Sequence, residues 1–160
     1  ADAVEALYAI LPKALPENVG SEWCLQIFGS SLIGTPEPGS DVDCVLIAKV
    51  PRSDVFPMAV RDALKDDPRV PWVYVIDDAK IPIVSFELLG CHFELQYAWL
   101  RGSVGEAAVL QAGVPFDALA AVPQKLLCTQ DHRTVPTLHG LSDAQALLEL
   151  VPNHALFKQA

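Results

Sequence analysis

Positive charge is scarce in this sequence: 11 Lys and Arg stand against 20 Asp and Glu in 160 residues, a net charge of −9. An acidic domain repels a long polyanion at a distance, so a nucleic-acid partner would need metal ions or a further region to supply cations. Long hydrophobic runs are missing too. No stretch approaches the ~18 unbroken apolar residues of a membrane span, so no membrane partner is expected. Even so, 51% of the residues are hydrophobic, enough for one domain of this length to bury a core. The opening ADAVEALYAILPKALPENVG carries acids and prolines without a basic start, which does not read as a secretory signal. Cys24, Cys44, Cys91 and Cys128 form no CxxC pair, three of them lie in apolar runs, and His92, His132, His139 and His154 stand at no ligand spacing from them. Buried free thiols of an intracellular protein are expected, rather than disulfides or a zinc site. There is no internal repeat, no low-complexity tract and no GKS/T phosphate loop.

What is present is a succession of short elements. Residues 2–15 predict a helix with Val4, Leu7, Ile10 and Leu11 on one face. EWCLQIF (22–28) reads as a strand ending at Gly29; SLIG fits one helical turn, and TPEPGS is a loop because two prolines and a glycine forbid regular structure. DVDCVLIA (41–48) is nearly continuous in apolar residues after its first acids, as in a central strand. SDVFPMAVRDALKDD (53–67) is helical, with Pro57 favouring a start near Phe56. VPWVYVID (70–77) and IPIVSFEL (81–88) predict two strands across a short turn, Pro82 suiting a strand start or an edge. CHFELQYAW (91–99) alternates: Cys91, Phe93, Leu95 and Tyr97 face one way, while His92, Glu94 and Gln96 face the other. On that second face His92 and Gln96 read as solvated neighbours of Glu94. Residues 100–141 hold short helical pieces and a loop, SDAQALLELV (142–151) is a helix with Ser142 as N-cap, and PNHALFKQA opens another. Hairpins without repeated βαβ units predict an α+β domain with a mixed sheet over residues 1–150. Residues 151–160 read as the start of a following helix or domain, and the lack of a starting Met fits the same expectation of a piece of a longer protein.

The chemistry gathers in FGSSLIGTPEPGSDVDC, residues 28–44. On a strand, Asp41 and Asp43 point to one face, roughly 6–7 Å apart at the backbone. Two like charges so placed repel unless a cation compensates. Mg²⁺ suits such a site, taking a few carboxylates plus substrate phosphates. In Gly29-Ser30, backbone N–H groups and hydroxyls at a strand end suit a phosphate chain. Glu94, an acid on the polar face of a later strand, is the best third carboxylate. Each feature alone is more often a plain turn or a solvated acid. The order strand, Gly-Ser, loop, Asp-x-Asp strand, then an acid on a hairpin strand is much harder to assign to chance.

That order resembles the polymerase-β-type nucleotidyltransferases and, within them, the eukaryotic poly(A) polymerases. FGSSLIGTPEPGSDVD is similar to that family's FGS…G…GSDID block. IPIVSFELLGCHFELQYAWL (81–100) resembles its VPVIKF…G…DLLYARL block, and LHGLSDAQALLELVPNHALFKQA (138–160) resembles the passage from its catalytic to its central domain. The resemblance implies a polymerase-β-like α+β fold, a mixed twisted sheet packed against helices. It also implies template-independent transfer of AMP from ATP to an RNA 3′ end, in the nucleus, alongside proteins of a polyadenylation complex. Carried over position by position, Asp41, Asp43 and Glu94 would bind two Mg²⁺ (or Mn²⁺) ions, Glu94 standing where the family has aspartate. Gly29 and Ser30, with Phe28 and Ser40 of the same block, would hold the nucleotide. Three basic positions differ: the family's Tyr-Arg after FGS is Ser31-Leu32, its lysine in the second block is Ser85, and the arginine of its YAR is Trp99. A uridylyltransferase, an oligoadenylate-synthetase-like enzyme, or an inactive fold used as a binding module are the alternatives.

Overall fold

The structure, a computed structural model, describes residues 3–19, 23–28, 39, 41–77 and 80–100. Helix α1 (Ala3–Ile10) opens the chain, with Glu5 in its first turn where the helix dipole favours an acid. It is shorter than the periodicity predicts. Pro12 has no N–H to return to the preceding turn, so the chain tightens into a 3-10 turn over Leu11–Ala14, closed by the Leu15 N–H on the Pro12 carbonyl. The buried face is Ala3, Ala6, Leu7, Ile10 and Leu11. Val4, expected on that face, lies at its margin and is only half-buried.

Five strands follow: β1 (Trp23–Phe28), β2 (Asp41–Ala48), β3 (Val73–Ile76), β4 (Ile83–Leu88) and β5 (Cys91–Trp99). They form one mixed sheet in the order β1-β2-β5-β4-β3. Strands β2 and β5 run parallel, with Asp43 opposite Glu94 and Asp41 opposite His92. The other pairings are antiparallel. Between β2 and β3 the helical stretch expected over 53–67, with a start near Phe56, is a short α2 (Arg52–Val55) and then α3 (Met58–Lys65), which opens at Pro57 as that proline suggested. Phe56 separates them in an extended conformation (φ −128, ψ 134), because a residue before proline avoids the helical region. That break turns the Phe56 ring into the core, stacked on Tyr97 with 5.7 Å between centroids.

The hairpin between β4 and β5 turns through Leu89 and Gly90, both with positive φ (51 and 80). A two-residue turn of this kind fixes register, pairing Leu88 with Cys91 and hence Ser85 with Glu94.

The main hydrophobic cluster lies on one face of the sheet, while Cys24, Val45, Ile47 and Ala98 are buried on the reverse face. Leu25, Val42, Cys44, Leu46, Val84, Phe86, Phe93, Leu95 and Tyr97 pack there against α1 and α3. Phe86 and Phe93 stack with planes 4° apart and centroids at 5.2 Å. The Tyr97 hydroxyl donates to the Val50 carbonyl at 2.6 Å, while the buried Arg52 donates to the Tyr97 carbonyl at 2.9 Å. Cys24, Cys44 and Cys91 are buried free thiols, as expected. The Cys24 thiol is pushed up to about 12 by burial. Cys128 lies outside the described residues, as do the elements expected after residue 100 and the 151–160 segment.

Candidate active site

Residues paired across a ladder point to the same face of a sheet, so register alone assembles a row. Tyr74, Ser85, Glu94 and Asp43 stand in one row across β3, β4, β5 and β2. The next row holds Glu87, His92 and Asp41. This polar face is the reverse of the core face; of its acids, Asp41, Asp43 and Glu94 are anticipated from sequence and Glu87 is not. Asp41 is exposed at the start of β2; Asp43 and Glu94 are half-buried. Of the residues assigned to the nucleotide, Phe28 ends β1 as the backbone partner of Asp43. Gly29, Ser30 and Ser40 lie outside the described residues.

The approach to β2 is tied to the same end of the sheet. Gly39 donates its N–H to the Gly90 carbonyl of the hairpin turn at 2.9 Å, with φ at 89. A Cβ at Gly39 would meet nothing within 4 Å, so conformation rather than room calls for glycine here.

The electrostatics are those of crowded acids. Burial, above all, raises the Asp43 carboxyl above the ordinary aspartate range. The charge of Glu94 and a side-chain hydrogen bond with it add to the rise, Asp41 adds less, and His92 opposes it. Among the described residues no three His, Cys, Asp or Glu side chains converge into a ready cage. Asp43 engages Glu94, and Asp41 is turned toward His92 at 3.0 Å. The donor chemistry nonetheless fits a hard divalent cation. Three carboxylates share one face, and their crowding is negative charge that a cation would compensate.

Two residues at the site were missed by sequence reasoning. His92, read as a solvated neighbour, sits between Asp41 and Ser85: its Nδ1 is 3.0 Å from Asp41 Oδ1 and its Nε2 is 2.7 Å from Ser85 Oγ. The signal was available, since alternation places His92 on the face of Glu94, and the tight hairpin places Ser85 beside both.

The described residues thus form a class of α+β domain that carries carboxylates of paired interior strands on one face of a mixed sheet. The comparisons narrow the class. The family model of the nucleotidyltransferase domain matches residues 11–119, and the chain belongs to that family. Among its relatives, the poly(A) polymerase of Dictyostelium discoideum is 30% identical over 154 residues, covering 94% of this chain and 18% of that protein. Poly(A) polymerase pla1 of Schizosaccharomyces pombe is 33% identical over 153 residues, covering 94% of this chain and 25% of that protein. Nuclear poly(A) polymerase 4 of Arabidopsis thaliana is 32% identical over 133 residues, covering 82% of this chain and 17% of that protein. The chain thus spans a quarter or less of the length of these relatives. No helix among the described residues is long and apolar enough to cross a membrane.

Proposed function

We propose that this chain is the catalytic domain of a longer, template-independent RNA nucleotidyltransferase that transfers AMP from ATP to an RNA 3′ end. The observation that carries the reading is the row formed by Asp43 and Glu94, with Asp41 in the adjacent row, in a nucleotidyltransferase-family domain whose relatives are poly(A) polymerases. The 3′-oxygen bonds to the α-phosphorus, the bond to the β-phosphate bridge breaks, pyrophosphate leaves and the hydroxyl proton is released. Two Mg²⁺ or Mn²⁺ ions, when bound, would supply charge neutralisation for the triphosphate and lower the pKa of the attacking hydroxyl. Asp41, Asp43 and Glu94 would hold them. Gly29 and Ser30, with Phe28 and Ser40, would orient the phosphates, so that catalysis rests on positioning. The rigid β2–β5 ladder fixes the spacing of the acids. A nuclear location and polyadenylation-complex partners follow from the same reading.

The net charge of −9 and the absence of the three basic residues at Leu32, Ser85 and Trp99 leave this domain poor in groups that hold RNA or triphosphate. Regions beyond it would supply them, and the chain alone should extend primers weakly or not at all. The same losses favour one other reading, an inactive module.

The test is incorporation from each of the four NTPs into an RNA primer by the longer protein, with and without Asp43→Asn. AMP incorporation that falls at least about 100-fold in the variant is expected. Preferential UMP incorporation would redirect the reading to a uridylyltransferase. No incorporation from any NTP would leave the module.

A further inference from the structure

We infer that His92 is a positioning residue for Asp41, held by Ser85 and Trp72 so that the first acid of the Asp-x-Asp pair meets a cation with its carboxylate already oriented. The inference rests on the reading of Asp41 as a cation ligand.

Asp41 needs such help more than Asp43 does. It stands at the first position of β2 with its side chain 85% exposed, and an exposed aspartate at a strand end samples several rotamers. Asp43 lies deeper in the ladder against Glu94. The Asp41 Oδ1 is 3.0 Å from His92 Nδ1. A carboxylate accepts, so a ring hydrogen is assigned to Nδ1, and the Ser85 hydroxyl, which can donate or accept, bonds Nε2 at 2.7 Å. Ser85 is buried, with 8% exposure, so its oxygen is a fixed anchor. The ring is further confined by Trp72, centroids 5.4 Å apart. Trp72 is itself held by its indole N–H on Glu87 Oε2 at 2.9 Å, and Glu87 is the ladder partner of His92. Ser85 of β4 and Trp72, just ahead of β3, therefore hold the imidazole of β5, and the imidazole holds one carboxylate of β2. Holding one oxygen of Asp41 directs the other.

The connectivity Ser85–His92–Asp41 is also that of a serine hydrolase, but the placement is wrong for one. Ser85 lies in mid-strand with ladders on both sides, where the neighbouring backbone N–H groups are engaged in pairing and offer no oxyanion site. The trio orients the acid and attacks nothing.

The experiment is Mn²⁺ titration of this chain, with free Mn²⁺ read by electron paramagnetic resonance, for the unaltered chain, Asp43→Asn, His92→Ala, His92→Asn and Ser85→Ala. Melting curves serve as fold controls. Removing a group that orients a ligating carboxylate is expected to weaken Mn²⁺ about 10-fold in His92→Ala. His92→Asn places an amide N–H where Nδ1–H was and should recover most of that loss. Ser85→Ala, which releases only the far nitrogen, should cost about 3-fold. Unchanged affinity in His92→Ala overturns the inference. If Asp43→Asn alone loses the ion, only the positioning role has failed; if neither variant changes binding, the reading of the site has failed with it. A loss in His92→Ala that Asn does not restore also overturns it, because a packing role would behave that way. Should His92→Ala not fold, Ser85→Ala decides: unchanged affinity there counts against the inference, weakened affinity for it.

Discussion

Asp43 and Cys44 are adjacent on β2 and belong to different worlds. The Cys44 side chain enters the core among Leu46, Phe93 and Leu95, none of them measurably exposed. Burial, and to a lesser degree the charge of Asp43, drives its thiol far up, so it stays a neutral hydrophobe. Asp43 faces the other way, toward Glu94, and burial and charge likewise push its carboxyl up. One backbone ladder thus carries an apolar face that holds the fold together and an acidic face that strains against it. The first offsets the second: crowded acids persist because the strands that bear them are fixed from behind.

Three substitutions would break or sharpen that contrast. The largest effect should come from the apolar face. Phe93→Ala removes a fully buried ring stacked on Phe86 and should cost about 3–5 kcal/mol, read as a lower urea midpoint at unchanged slope. A loss below about 1 kcal/mol would mean that the sheet is not held from this side.

A compensated acid should behave in the opposite sense to the crowded ones. Asp67 accepts the Arg69 backbone N–H at 2.9 Å and its guanidinium at 2.9 and 2.8 Å. These bonds hold its carboxyl at about 2, below the ordinary 3.8. A carboxyl with a depressed folded-state pKa contributes stability above its unfolded value, and the contribution disappears as pH falls through the folded value. Arg69 is 40% exposed, so the charge contribution is discounted for solvent screening, leaving about 1 kcal/mol for Asp67→Asn near neutrality. That deficit should shrink as pH falls from 3.8 toward about 2, followed by denaturant melts at several pH values.

The smallest effect should have the reverse sign. Asp43 carries a raised carboxyl pKa, so its ionisation opposes folding: the favourable contribution is complete below the unfolded value and is lost as pH rises through the folded one. Asp43→Asn should stabilise the cation-free domain by about 0.5–1 kcal/mol at neutral pH while removing Mn²⁺ binding. Destabilisation on this substitution would show that Asp43 is a structural acid.

The alternation of 91–97 identified both faces of β5, and the i, i+2 spacing identified Asp41 and Asp43 as neighbours on one face. Single cysteines set in apolar runs pointed to buried thiols, and hairpin spacing pointed to a mixed sheet. Helix lengths were less legible. Pro12 cut a periodic run that apolar spacing alone would have continued, because a missing N–H outweighs a good hydrophobic stripe; at Pro57 the helix start was legible, and the short α2 before it was not. His92 was misjudged for a different reason. A half-exposed histidine on a polar face has no local pattern that separates a solvated ring from a bonded one.

The sequence by itself determined which side chains share a face, because a two-residue period is a property of one strand and needs no partner. It also determined, through Leu89-Gly90, that Ser85 meets Glu94, since a two-residue turn leaves the register no freedom. Only the tertiary structure decided that β5 lies parallel to β2, with Asp43 beside Glu94 and Asp41 beside His92. Those pairs are about fifty residues apart along the chain. Their contact is set by closing a long loop over a common core, and no local propensity encodes it.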